Sequence, residues 1–213
     1  MVRCAGGKVC SNLRELLEAA RSVPDAVLEH HMMRCALEDY FELYEFPNDF
    51  ARWCWNSLGD QALGEQLGLI DPYQQSSLVE LRATLVNLIE DRLWHLQQVP
   101  WCRKGMELHL LESRLVVYDT GERIDTVASL AEALERMSLR SIYYHVHEAH
   151  RRSGHSDDFS LWLETLGTSR ALVEKIRSID FYFLNLGQLR EEILQALRQY
   201  LAAPAVLQRE AVP

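Results

Sequence analysis

The sequence predicts a mainly helical protein built from two pseudo-symmetric multi-helix repeats, with a small β-hairpin element at the start of the second. Three observations lead there. The stretch Asp157 to Tyr182 is a second copy of Asn48 to Tyr73, pairing Asp158 with Asp49, Phe159 with Phe50, Trp162 with Trp53, Leu166-Gly167 with Leu58-Gly59 and Ile179-Asp180 with Ile70-Asp71. The match continues outward, with Leu78, Leu81, Arg82 and Leu93 answering to Leu186, Leu189, Arg190 and Leu201, and Val27, Leu28 and His30 to Ile142, Tyr143 and His145. In both copies apolar residues recur at helical spacing between capping residues. A unit of about 95 residues can bury a core of its own, unlike a short solenoid repeat. The expected divisions are a first repeat at 1–98, a linker at 99–106, a second repeat at 107–204 and a tail at 205–213.

In the first copy, Asn12 followed by Glu15 marks a helix start, and Leu13, Leu16, Leu17 and Ala20 share one face. Pro24-Asp25 opens another helix through Val27, Leu28, His31 and Met32 to about Phe41, followed by a loop from Glu42 to Pro47. Asn48 caps a helix that ends at Gly59, and Asp60 caps a short one through Leu63, Leu67 and Ile70. Ser77 with Glu80 forms a capping box before a long amphipathic helix to about Leu96, closed by Pro100. Leu108, Leu110, Leu115 and Val117 then suggest two strands turning near Glu112 and Ser113. Leu115 to Ile124 matches Met1 to Cys10, so the first copy is expected to lack the hairpin's first strand. The second copy repeats the helices at 126–137, 141–152, 158–166, 169–179 and 186–201, giving ten in all, and the tail is expected to fray.

Composition narrows the function classes. The chain has 213 residues, 48% hydrophobic and 25% charged, as in ordinary globular domains. A net charge of −9 offers no basic face for a phosphate backbone, so nucleic acid is not an expected partner. Five cysteines, Cys4, Cys10, Cys35, Cys54 and Cys102, make no Cys-x-x-Cys and suit a reducing compartment. The N-terminus lacks the apolar core of a signal peptide and no window is apolar enough to span a bilayer, so the expectation is a cytoplasmic protein with no membrane partner.

The candidate chemistry is sparse. His145, with counterpart His30, needs a polar partner if buried, and Asp158, with counterpart Asp49, is the candidate. The pair reads either as an acid-base couple or as a clasp between helices, and the absence of an accompanying nucleophile favours the clasp. Both aspartates could instead serve only as helix caps. Arg82 and Arg190 sit in the first turn of the last helix of each copy, with Asp71 and Asp180 as expected salt-bridge partners. Tyr144, His145, Asp158 and Arg190 make up the candidate ligand pocket. His147 and His150, at i and i+3, could share a metal with Glu148 or His155, although the first copy has Met32 and Cys35 there. Trp53 and Trp162 fall at core spacing. There is no glycine-rich phosphate loop, no Gly-x-Ser-x-Gly elbow and no His-Glu-x-x-His.

Ser141-Ile-Tyr-Tyr-His145, Asp157-Asp158-Phe159 with Trp162, Leu166-Gly167, Ile179-Asp180 and Leu189-Arg190 together resemble a bacterial and archaeal family known only as a domain of unknown function. The turn at Gly121 fits the same pattern. The resemblance implies two tandem copies, the second the closer, and carries no activity over. The first copy departs from the pattern at Glu29-His30 and in an insertion around Glu38 to Pro47.

The reading that follows is a non-enzymatic interaction or regulatory module, with no cofactor. Trp94 and Trp101 are its candidate partner surface, and the partner is a protein, a homodimer being one form of it. The alternative is a small-molecule or metal-binding protein, or a small enzyme, using the His145 pocket.

Overall fold

The first strand of the chain finds its partner about a hundred residues away. The structure, a computed structural model, describes residues 2–33, 37, 46–154 and 156–203, with the backbone alone at 2–6 and 153. Expectations placed on Cys35, on the helix as far as Phe41, on most of the following loop, on His155 and on the tail lie outside the described residues. Strand β1 (Val2–Cys10) pairs antiparallel with β2 (Leu108–Arg114), Cys10 facing Leu108 and Val2 facing Arg114. The expected hairpin within Leu108 to Val117 is therefore replaced by one strand from each end of the first unit. Glu112 and Ser113 lie inside β2 and face Cys4 and Arg3. The physical reason is burial: Leu108 and Leu110 enter the core of the first unit, which a local hairpin would not supply.

The chain divides into two compact units, Met1–Val117 and Tyr118–Pro213, so β2 belongs to the first. The segment expected to link the repeats is pinned to that unit. Asn12 and Trp101 form an antiparallel bridge, Cys102 N–H donates to Ser11 O at 2.8 Å, and Trp53 Nε1–H donates to Met106 O at 2.7 Å.

In the first unit, α1 (Leu13–Ser22), α2 (Asp25–Met33), α3 (Asp49–Asn56), α4 (Gln61–Gly68) and α5 (Leu78–His95) follow the capping residues. Asn12, Asn48, Asp60 and Ser77 each accept from the backbone N–H three residues on. Gly64 lets α4 approach α3 closely, since a Cβ there would lie 3.2 Å from Ala51 O. Helix α1 packs on α5, α2 on α3, α3 on α4, α4 on α5, and β2 lies against α2.

The second unit contains α6 (Val127–Arg136), α7 (Leu139–Tyr143), a π-helical turn (Tyr144–Glu148), α8 (Ala149–Ser153), α9 (Asp158–Thr165), α10 (Arg170–Arg177) and α11 (Leu186–Ala202). Here α6 packs on α11, the π turn on α9, α9 on α10, and α10 on α11. The single helix expected at 141–152 is interrupted by the π turn, across which the rings of Tyr143 and His147 stack at 4.8 Å and 9°. Among the described residues this unit has no strand. No described helix is long and apolar enough to cross a membrane.

Candidate functional site

In each unit a histidine from the second helical segment meets the first residue of the next helix. Asn48 caps α3, which leaves the side chain of Asp49 free to point at α2. There Asp49 Oδ2 lies 2.7 Å from His31 Nδ1, and Arg52 holds Oδ1. His31 Nε2 accepts the backbone N–H of Leu111 in β2 at 2.9 Å. That bond puts the ring's proton on Nδ1, so His31 is a neutral donor to an ionised carboxylate. The two side chains are 2% and 5% exposed. Burial pushes the Asp49 pKa up, but the hydrogen bond from His31, with the charge of Arg52, outweighs it and holds the group below its usual range. The partner is thus His31 and not His30. His30 is buried edge-on to His31 at 4.8 Å, with a ring nitrogen within 4.8 Å of an Asp49 oxygen, while the hydrogen bond to Asp49 is made by His31.

The second unit repeats the contact in a wetter setting. Asp157 is the cap of α9, accepting from Ser160 N at 2.7 Å, so capping does not account for Asp158. Asp158 Oδ2 lies 2.9 Å from His145 Nδ1 and 2.9 Å from an Arg152 guanidinium nitrogen. Phe159 approaches the His145 ring at 5.4 Å and 46°, nearly the geometry of Phe50 on His31, 5.4 Å and 48°. Tyr144 stands edge-on to His145 at 5.1 Å, and Arg152 lies over the Tyr144 ring at 4.4 Å. Burial again raises the Asp158 pKa, but His145 and Arg152 outweigh it and hold it low. The difference from the first unit is exposure: the His145 and Asp158 side chains are 36% and 33% exposed. No described residue bonds His145 Nε2.

Other expectations land elsewhere. Arg82 reaches Asp25 at 2.6 Å and Ala20 O at 2.5 Å, not Asp71. Asp71 instead turns the chain by accepting Tyr73 N–H at 2.8 Å. Arg190 lies 3.8 Å from Glu191 and is not brought to the His145 cluster by any described contact, so that cluster is His145, Asp158, Tyr144 and Arg152. Arg152 was legible in principle, since it falls seven residues, two helical turns, after His145. Leu111 was not, because its contribution is a backbone amide.

His147 is enclosed by Tyr143 and Phe181, and burial, with a smaller push from His150, drives its pKa down to about 3. His150 bonds Val146 O at 2.8 Å through Nδ1 and stacks on Phe181 at 4.2 Å. Among the described residues no third ligand joins this pair. The described cluster with metal-ligand spacing is His30, His31 and Asp49, whose ligand atoms lie within 4.8 Å of one another. Both His31 nitrogens and both Asp49 oxygens already have protein partners there, so an ion would have to break the clasp.

Trp53 is buried, as expected of a core residue, whereas Trp94 and Trp101 are 87% and 66% exposed. Trp101 walls an open groove of about 750 Å³ between the end of β1 and α1, shared with Lys8, Val9, Asn12, Arg14 and Glu15.

No curated protein matches this chain. Among solved structures, OrfY from Thermoproteus tenax is similar, with 25% identity over 93% of this chain and 90% of that one and a TM-score of 0.73. The family of unknown function DUF5752 matches residues 1–198, across both units, and the chain belongs to that family.

Proposed function

We propose that this protein is a non-enzymatic helical interaction module whose first unit receives a protein partner through Trp94 and Trp101. The observation that carries the reading is the setting of Trp101. Its backbone is tied to the segment after β1 by the Asn12 bridge and the Cys102 to Ser11 hydrogen bond, while its ring stands in solvent beside the groove. An indole held on a fixed backbone loses little freedom on docking, and tryptophan is enriched among the side chains that dominate interface energetics. Trp94 adds a second exposed indole from the last turn of α5. Acid-base chemistry at the His31–Asp49 pair has less support, because both ring nitrogens of that buried pair are already bonded.

Two further readings accompany this one. The units support descent from a duplicated ancestor, since element order, helix packing and the His–Asp–Phe geometry recur in both. Free thiols at Cys10, Cys54 and Cys102 support a reducing, cytoplasmic setting.

The test is recovery of tagged protein from its own host, with a Trp94→Ala, Trp101→Ala variant alongside and circular dichroism to confirm that it is folded. A stoichiometric protein partner that the folded variant loses, and that rebinds the purified wild type, supports the reading. Equal recovery by both proteins overturns the assignment of the surface.

A further inference from the structure

We infer that the helix face of the second unit bearing Tyr144, His145 and Arg152 takes an extended segment of a partner polypeptide, one of whose backbone N–H groups donates to His145 Nε2. The precedent lies in the same chain. In the first unit, β2 lies against α2, and its Leu111 N–H donates to His31 Nε2. That contact completes the imidazole, whose other nitrogen is on Asp49, and leaves His31 2% exposed.

The second unit has the same arrangement up to that point. His145 Nδ1 is on Asp158 and the ring rests on Phe159 at the distance and tilt seen for His31 on Phe50. What it lacks, among the described residues, is a strand. His145 is accordingly 36% exposed, and the edge carrying Nε2 meets no described donor. Tyr144, Phe159 and Asp158 already hold the ring, so little further ordering is needed for Nε2 to accept a bond.

The chemistry of β2 defines the occupant. Leu108 and Leu110, alternate residues on one face of the strand, enter the core while the backbone makes the bond to histidine. The segment inferred for the second unit is likewise extended, with apolar side chains at alternate positions and a free amide on the residue that follows them. This inference rests on the interaction-module reading only in requiring a polypeptide partner. It concerns another unit and another chemistry than the tryptophan surface, and either can fail alone.

The probe is a synthetic peptide with the sequence of residues 107–115, which contains β2, titrated into the full-length protein and followed by NMR of backbone amides, arginine side chains and imidazole nitrogens. In the intact protein β2 already occupies the first unit at high effective concentration, which leaves the second unit for the added peptide. The expected result is saturable shifts at His145 Nε2, Tyr144 and Arg152. Binding should weaken about tenfold in His145→Ala, and recover in His145→Gln, whose carbonyl can accept the same bond. N-methylation of one peptide amide should match the loss. Absence of shifts at these residues overturns the inference, as does binding indifferent to His145→Ala and to N-methylation at every position. The same shifts on concentrating the protein without peptide would assign the face to a second copy and overturn the partner segment.

Discussion

His31 Nδ1 lies 2.7 Å from Asp49 Oδ2 while Nε2 of the same ring accepts the amide of Leu111 at 2.9 Å, so one side chain joins α2, α3 and β2. Removing Asp49 leaves a buried imidazole N–H and the Arg52 charge without their acceptor. Asp49→Ala is expected to destabilise the protein by about 3 kcal/mol. Asp158→Ala, at a site one-third exposed and screened by water, is expected to cost under about 1 kcal/mol. Urea denaturation of the two variants checks the contrast, and similar losses would contradict the difference in burial.

Acid acts on the same clasp. The folded-state pKa of Asp49 is held below its unfolded value, so its contribution is complete above the unfolded value of about 4 and is lost as pH falls through the lower folded one. Amide exchange at Leu111, measured from about pH 6 down to pH 3, should accelerate over that window once intrinsic exchange is corrected for.

His147 produces a separate and higher acid limb. Its folded pKa of about 3 lies below the usual 6.5, so the unfolded chain takes up the proton first. Stability from keeping His147 neutral is full above pH 6.5 and falls by at most ~1.4 kcal/mol per pH unit below it. His147→Phe keeps an aromatic ring between Tyr143 and Phe181 and is expected to flatten this limb. A wild-type stability independent of pH between about 6.5 and 4.5 would contradict the burial of the imidazole.

Gly59 and Gly167, matched in sequence, adopt φ of +69° and +64°. A Cβ at either meets nothing within 4 Å, so the cost of alanine is purely that of the left-handed backbone. Gly59→Ala and Gly167→Ala are each expected to destabilise by about 1–2 kcal/mol, read from thermal unfolding. A neutral result at either would show that the turn relaxes out of that conformation.

Fluorescence tests the tryptophans directly. Trp94→Phe and Trp101→Phe should together remove most of the acrylamide-quenchable emission while changing stability by under about 0.5 kcal/mol each. Emission that stays equally quenchable would mean that Trp53, Trp55 or Trp162 is accessible instead.

The helix starts of the first unit were legible because a cap is a local event: Asn12, Asn48, Asp60 and Ser77 each act within three residues of themselves. So was the type of contact between a histidine on one helix and an aspartate opening the next. The histidine in the first unit was not, since His30 and His31 differ by one step around α2 and only packing chooses between them. Nor was the π turn, whose residues read as an unbroken helix.

The sequence by itself determined most of the helical elements and caps, their order, and the kind of pairing between imidazole and carboxylate, because these follow from residue type and short-range spacing. Tertiary structure alone decided that Val2–Cys10 pairs with Leu108–Arg114, that Leu111 offers its amide to His31, and that the His145 side chain stays about one-third exposed where His31 is buried. Strand partnership and burial depend on side chains and amides far apart in the chain, and no local period records which of them meet.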